Sequence, residues 1–260
     1  MGEPIIRFVD VKKSFGSKVI YTGLDLEVYR GETLTVIGGS GVGKSVMLKI
    51  LIGLLQPNSG QVEAFGDSVV GMKRRGLQNL RRRIGMLFQG AALFDSLSVE
   101  ENICYPLIEH GMTDRNLMKR RVEEVLEMVG MPGIQRLKPP ELSGGMKKRV
   151  GLARAIAIEP EVILYDEPTT GLDPINVRRI NGLILRLQEH LKVTSIVVTH
   201  DMDSCFTVTD RIAFLNDKRI AWSGGREEAK AAEMPALAKF VKGGKGVLDD
   251  DELARQEGIL

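Results

Sequence analysis

Two short stretches of the chain carry the residue types that phosphate chemistry needs. The first is GGSGVGKS, residues 38–45. Its glycines let the backbone curl so that successive N–H groups turn inward toward anionic oxygens. A helix beginning there adds the positive end of its dipole. Lys44 can set an ammonium on the β- and γ-phosphates of a nucleotide, and the Ser45 hydroxyl can ligate Mg²⁺. The second stretch is VILYDEP, residues 162–168. Four apolar residues deliver Asp166 and Glu167 together. One carboxylate of such a pair can hold Mg²⁺ through water, while its neighbour orients and deprotonates an attacking water.

Both stretches depend on the elements around them. The pattern GxxxxGK[ST] carries weight only between a strand and a helix. The chain offers LTVI at 34–37 before it and the apolar-periodic SVMLKILIGLL from Ser45 after it. LTVI, VILY and SIVV (195–198) are continuous apolar runs, as strands buried on both faces of a parallel sheet require. In such sheets ligands bind beyond the C-terminal strand ends, which is where both stretches fall. Ile180, Leu183, Ile184, Leu187 and Leu191 predict one amphipathic helix, and Val122, Val125, Leu126 and Val129 a second. The sum is an α/β fold. IIRFVDVKKSF and VIYTGLDLEVYRG predict N-terminal strands joined by turns, and RIAFLNDKRIAW predicts a hairpin over Asn216 and Asp217. Residues from about 90 to 160 read as an inserted helical lobe. The domain is expected to span 1–242, with a Gly-rich then acidic linker and tail over 243–260.

Composition narrows the classes. At 260 residues, 43% hydrophobic and 27% charged, the chain is an ordinary globular protein and not a disordered one. Thirty-six basic against 34 acidic residues leave +2, too balanced to suggest nucleic acid. Cys104 and Cys205 predict buried, reduced thiols. The longest run free of Asp, Glu, Lys and Arg, 50–62, falls short of the roughly 20 apolar residues of a membrane span. MGEPIIRFVD lacks the order of a signal peptide, and Ile6 stands where myristoylation wants Ser or Thr. A cytoplasmic start is therefore expected. The basic run 73–83 reads as a solvated helix face, with anionic lipid headgroups the sharper alternative.

With LSGGMKKRVGLARAI from Leu142 and YDEPTTGLDP from Tyr165, these motifs resemble an ABC-type ATPase, the motor subunit of ABC transporters. The resemblance covers about residues 5–230. Read on its own, Ser143-Gly144-Gly145 opens a helix and so makes a second anion-binding surface. The resemblance implies a P-loop NTPase (RecA-like) core with an N-terminal antiparallel β subdomain and an inserted α-helical lobe. It implies ATP and Mg²⁺ as cofactors. The nucleotide would lie on Gly38, Gly39, Ser40, Gly41, Val42, Gly43, Lys44 and Ser45, with Phe15 stacked on adenine. Gln89, Ser45 and Asp166 would meet Mg²⁺. Glu167 would be the general base, assisted by Lys44 and by His200 at the γ-phosphate. Ser143, Gly144, Gly145 and Asp173 would reach the nucleotide of a second subunit in a head-to-tail homodimer.

One position departs from the family: Met146 replaces the usual Gln after LSGG. That sequence and FQGAALFDSLSVEEN are most similar to the bacterial phospholipid-transport branch. The branch implies a multi-spanning membrane permease docked near residues 90–109, a small cytoplasmic accessory subunit, a substrate-binding component, and the cytoplasmic face of the inner membrane. A small-solute importer and a soluble ABC-type ATPase are the competing readings. The second usually carries coiled-coil insertions or two cassettes per chain, and no heptad run occurs here.

Overall fold

The computed structural model describes residues 2–243. The expected linker and tail lie outside them, except for Gly243, the last residue of the final helix. The chain builds two sheets. Strands β1 (Pro4–Phe15), β2 (Lys18–Tyr29), β4 (Ser59–Ala64) and β5 (Asp67–Ser68) form an antiparallel sheet in the order β2-β1-β4-β5. Strands β3 (Thr33–Ile37), β6 (Ile84–Leu87), β7 (Val162–Asp166), β8 (Thr194–Thr199) and β9 (Arg211–Asn216) run parallel in the second sheet. Antiparallel β10 (Arg219–Gly225) closes one edge, giving the order β10-β9-β3-β8-β7-β6.

The continuous apolar runs are explained by burial on both faces of this second sheet: among the described residues one core lies against one face and two lie against the other. Val162 and Leu164 of β7 join the core shared with the antiparallel sheet, while Ile163 and Tyr165 join the core beneath the helices. A strand that must satisfy both faces cannot alternate with polar residues. The helices are α1 (Lys44–Leu51), α2 (Arg74–Arg82), α3 (Val99–Glu109), α4 (Arg115–Met128), α5 (Gly144–Ile156), α6 (Pro174–Leu191), α7 (Met202–Val208), α8 (Arg226–Lys230) and α9 (Pro235–Gly243). Helices α3, α4 and α5 pack together into the lobe expected between 90 and 160. Their starts are encoded locally. Ser98 and Glu101 make a reciprocal capping box on α3, and Asp114 caps α4.

Several expectations shift. SVMLKILIGLL does not stay helical: α1 stops at Leu51, and Gly53 takes a left-handed φ of 66°. That conformation is natural for glycine past a helix end. The hairpin turns on Asp217 and Lys218, both left-handed at φ 47° and 65°, not on Asn216 and Asp217. Two successive left-handed residues give the turn whose twist fits a hairpin. Cys205 is buried but Cys104 is only half-buried, and both are free. In the basic run, Arg81 binds the carbonyls of Ile52 and Gly53, Arg82 that of His110, and Arg83 pairs with Glu161. Those three arginines are therefore held by the protein itself, while Arg74 and Arg75 are exposed.

Candidate phosphate and carboxylate site

Strand register assembles the site. Ile37 of β3 is level with Thr199 of β8, and Val198 is level with Asp166 of β7. Three adjacent strands thus end at one height. They release, in turn, the glycine loop, His200 and the Asp166–Glu167 pair.

The loop is held in a conformation that needs glycine. Gly41 and Gly43 have φ of 74° and 117°. A Cβ at Gly43 would stand 2.7 Å from Ile20 Cγ2. Buried Tyr21 of β2 donates its hydroxyl to the Gly43 carbonyl at 2.5 Å and braces the turn from the antiparallel sheet. Lys44 is 6% exposed. Its ammonium donates to the Gly38 carbonyl at 2.7 Å and the Gly39 carbonyl at 3.0 Å, and lies 3.4 Å from Glu167 Oε1. Burial pulls the Lys44 pKa down, and the Glu167 charge partly offsets this.

The carboxylates differ in surroundings. Asp166 accepts from the Ser45 hydroxyl at 2.6 Å, and burial raises its pKa against that hydrogen bond. Glu167 is non-glycine yet takes a left-handed φ of 48°. Such strain sits where surrounding structure enforces it. Its Oε2 accepts from Thr170 Oγ1 at 3.1 Å and meets His200 Nδ1 at 2.9 Å. The His200 ring is half-exposed, so it stands at the mouth while Glu167 stands inside.

A single Mg²⁺ fits the donor set. Ser45 and Asp166 present two hard oxygens side by side next to the anion loop, the ligand type this ion selects. Among the described residues no group of three or more His, Cys, Asp or Glu could hold a metal. Oxygens from phosphate and water would complete the shell.

Other predicted residues lie at the periphery. Phe15, at the end of β1, is 45% exposed with the Lys13 ammonium 4.7 Å from its ring centre. It is not a core aromatic and offers ring surface for stacking. Gln89 is exposed two residues past β6. Ser40 is exposed at the loop tip, and half-buried Gly39 and Val42 complete the turn.

Ser143 caps α5 by accepting from Met146 N at 3.3 Å; Ser143 and Gly144 are exposed, whereas Gly145 is buried against Asn176. Met146 turns partly inward against the lobe core. Asp173 caps α6, accepting from Ile175 N at 2.9 Å and Asn176 N at 3.0 Å. Among the described residues no hydrogen bond or ion pair links residues 143–145 or Asp173 to residues 38–45. Within one chain the two sets of residues therefore stand apart.

Sequence reasoning missed three contributors. Tyr21 looked like an ordinary strand residue, and Thr170 a turn residue. Lys148 sits unmarked inside the KKR that follows LSGGM, yet it is 5% exposed and donates to the backbone carbonyls of Gln89 and Glu167. Only buried Leu152, four residues on from Lys148 and so on the same face, hinted that this side of α5 turns inward.

On the lobe side, Phe94 and Tyr105 are each 43% exposed with ring centres 4.8 Å apart. With Met86, Phe88, Pro106 and Ile158 they line a cavity of about 300 Å³.

A parallel sheet with a glycine loop, a buried lysine and paired carboxylates at its C-terminal edge defines a nucleoside-triphosphate-binding α/β protein. Comparison with known proteins narrows the class. The model of the ABC transporter family matches residues 21–170, and the chain belongs to that family. It is 38% identical over 243 residues to the "Intermembrane phospholipid transport system ATP-binding protein MlaF" of Haemophilus influenzae. That match covers 94% of this chain and 92% of the relative. It is also 38% identical to "Probable ribonucleotide transport ATP-binding protein mkl" of Mycobacterium leprae, covering 89% of this chain and 67% of that one. Among solved structures, the dimeric, post-hydrolysis ATP-binding cassette MJ0796 bound to ADP and Pi superposes with a TM-score of 0.78 at 31% identity. It covers 85% of this chain and 98% of its own. Family membership makes the chain an ATP-binding cassette with ATPase activity. Among the described residues no helix is long and apolar enough to cross a membrane.

Proposed function

We propose that this chain is the ATP-hydrolysing motor of a transporter that moves phospholipid between bacterial membranes. The observation that carries the motor chemistry is the buried Glu167 carboxylate, set between the Lys44 ammonium at 3.4 Å and His200 Nδ1 at 2.9 Å, beside the anion loop. Lys44 and the loop N–H groups bind the β- and γ-phosphates. Glu167 takes the proton of the attacking water, and the carboxylate lies close enough to His200 for the ring to hold its orientation. Phe15 stacks on the base. Ser45 and Asp166, with Gln89, would hold Mg²⁺, which supplies charge neutralisation at the phosphates.

Two copies pair head to tail, so that Ser143, Gly144, Gly145 and the Asp173 loop of one subunit face the nucleotide on the other. An isologous dimer closes both sites at once. ATP favours the closed pair because its γ-phosphate touches both subunits; loss of that phosphate removes the difference in affinity that holds them. The exposed Phe94 and Tyr105 groove receives a cytoplasmic segment of a membrane permease, keeping this chain at the cytoplasmic face of the inner membrane. A small accessory subunit and a substrate-binding component complete the assembly.

The lipid cargo is supported by the MlaF likeness, which spans nearly all of both chains. The equally identical mkl relative favours a second cargo class, ribonucleotides. Affinity purification from detergent-solubilised membranes, with mass spectrometry of bound proteins and lipids, separates them. A multi-spanning protein carrying phospholipid is the expected result. A membrane partner that retains nucleotide and no lipid would overturn the lipid reading, and recovery only with soluble DNA- or ribosome-bound proteins would overturn transport altogether.

A further inference from the structure

A buried lysine with no carboxylate in ion-pair range needs a reason, because an ammonium loses hydration that an apolar side chain would not miss. Lys148, one turn into α5, is such a residue at 5% exposure. Burial lowers its pKa, with Asp166 and Glu167 offsetting part of the effect. Its hydrogen-bond donors go to two backbone carbonyls from different parts of the chain. One belongs to Gln89, in the segment that leads from β6 into the helical lobe. The other belongs to Glu167, at 3.1 Å.

The Glu167 end of this strap is the strained residue. With φ at 48°, its backbone needs support from its neighbours. Its N–H is anchored to Val198 of β8 at 2.9 Å, and its carbonyl to Lys148 of α5. The peptide groups on either side of the Glu167 Cα are thereby held by two different elements, β8 and α5.

We infer that Lys148 is a positioning residue for hydrolysis. It pins the Glu167 backbone to the Gln89 segment, so the carboxylate is aimed only while α5 and that segment keep their places. The inference rests on Glu167 being the general base. It places no demand on nucleotide binding, which residues 38–45 and Phe15 perform.

The test is steady-state ATP hydrolysis by the full chain carrying Lys148→Met, Lys148→Arg or Lys148→Gln, with thermal melting alongside. Methionine fills the space without donors; arginine keeps a charged donor fork; glutamine keeps one short donor. For Lys148→Met, kcat should fall about 10–100-fold while KM for ATP stays within about threefold, because a misaimed group about 1 Å off costs on that order. Arginine should restore most of kcat. Should the methionine variant fail to fold, glutamine takes its place, with the same split between kcat and KM expected.

A Lys148→Met chain that melts lower but keeps kcat within about twofold would overturn the proposal. So would a loss confined to KM, or a loss of kcat that arginine does not relieve. Glu167→Gln is run beside these variants. If it hydrolyses ATP normally, the base assignment has failed; if it is inactive while Lys148→Met is active, only the positioning role has failed.

Discussion

Replacing Glu167 with glutamine is the most informative single change. Glutamine keeps the shape and can still accept from Thr170, which now lies 3.1 Å from Oε2. It removes the charge facing Lys44 at 3.4 Å. At that separation the gross attraction is about 5 kcal/mol for an effective dielectric near 20, before desolvation is subtracted. Lys44 retains the Gly38 and Gly39 carbonyls, but these do not replace a charge. The nucleotide-free variant should therefore melt below the wild type, since removing one member of a buried pair strands the other. ATP brings its own negative charge to Lys44, so affinity should hold or rise, and the melting deficit should shrink when ATP is added. Hydrolysis should fall about 10²–10⁴-fold, the usual worth of general-base catalysis, which is about 2.7–5.4 kcal/mol of barrier. Phosphate release at saturating ATP measures the loss of hydrolysis, and titration with a fluorescent nucleotide measures the affinity. A variant with kcat near wild type would refute the base assignment; a variant that loses ATP binding would refute the claim that phosphate can substitute for the lost carboxylate.

Three further outcomes follow from the geometry. Phe15→Ala should weaken ATP binding by about 1–3 kcal/mol, the worth of one stacked base, with little change in melting because the ring is already 45% exposed; isothermal titration reads this directly, and Phe15→Tyr should be neutral. Gly43→Ala should cost roughly 1–3 kcal/mol of stability and abolish nucleotide binding, since φ is 117° and the added carbon would stand 2.7 Å from Ile20; circular dichroism melts and nucleotide titration check it. Asp166→Asn should raise the melting temperature of the nucleotide-free chain at neutral pH while losing Mg²⁺-dependent activity. Burial raises the Asp166 pKa in the fold, so its contribution to stability is greatest at low pH and is lost as pH rises through the folded pKa; the variant's advantage should vanish in acid melts.

What could be read from the sequence was whatever local chemistry determines. The glycine loop was readable because glycine, lysine and serine occur at fixed offsets between a strand and a helix. The strands LTVI, VILY and SIVV were readable because two buried faces leave no room for polar alternation. Boundaries were less readable. The end of α1 depends on Gly53 taking a left-handed turn beneath Leu77, a contact with α2 that no window of sequence contains. The hairpin slipped by one residue because Asn216, Asp217 and Lys218 all tolerate turns, and the pairing with β10 chooses among them. Lys148 was hidden for a different reason. In KKR the three cations look equivalent, and only the packing of α5 between lobe and sheet buries the middle one.

The same packing gives the site its charge logic. Among the described residues the charged groups at the strand edge have partners within the chain. Lys44 leans on Glu167 and two carbonyls, Ser45 on Asp166, and Glu167 on Thr170 and His200. The second surface is closed in the same way: Ser143 serves as the cap of α5 and Asp173 as the cap of α6. A phosphate bound there as proposed would have to displace these contacts. An exchange of this kind yields a modest net affinity from strong individual interactions, because the lost contacts offset the new ones. Modest affinity suits a machine that must release its product each cycle, since a ligand drives motion only by the difference between the states it prefers. The buried Lys44–Glu167 pair therefore does two jobs with one geometry. It balances the two charges within the chain, and in the proposed cycle its rupture by the γ-phosphate would free the carboxylate to act as the base.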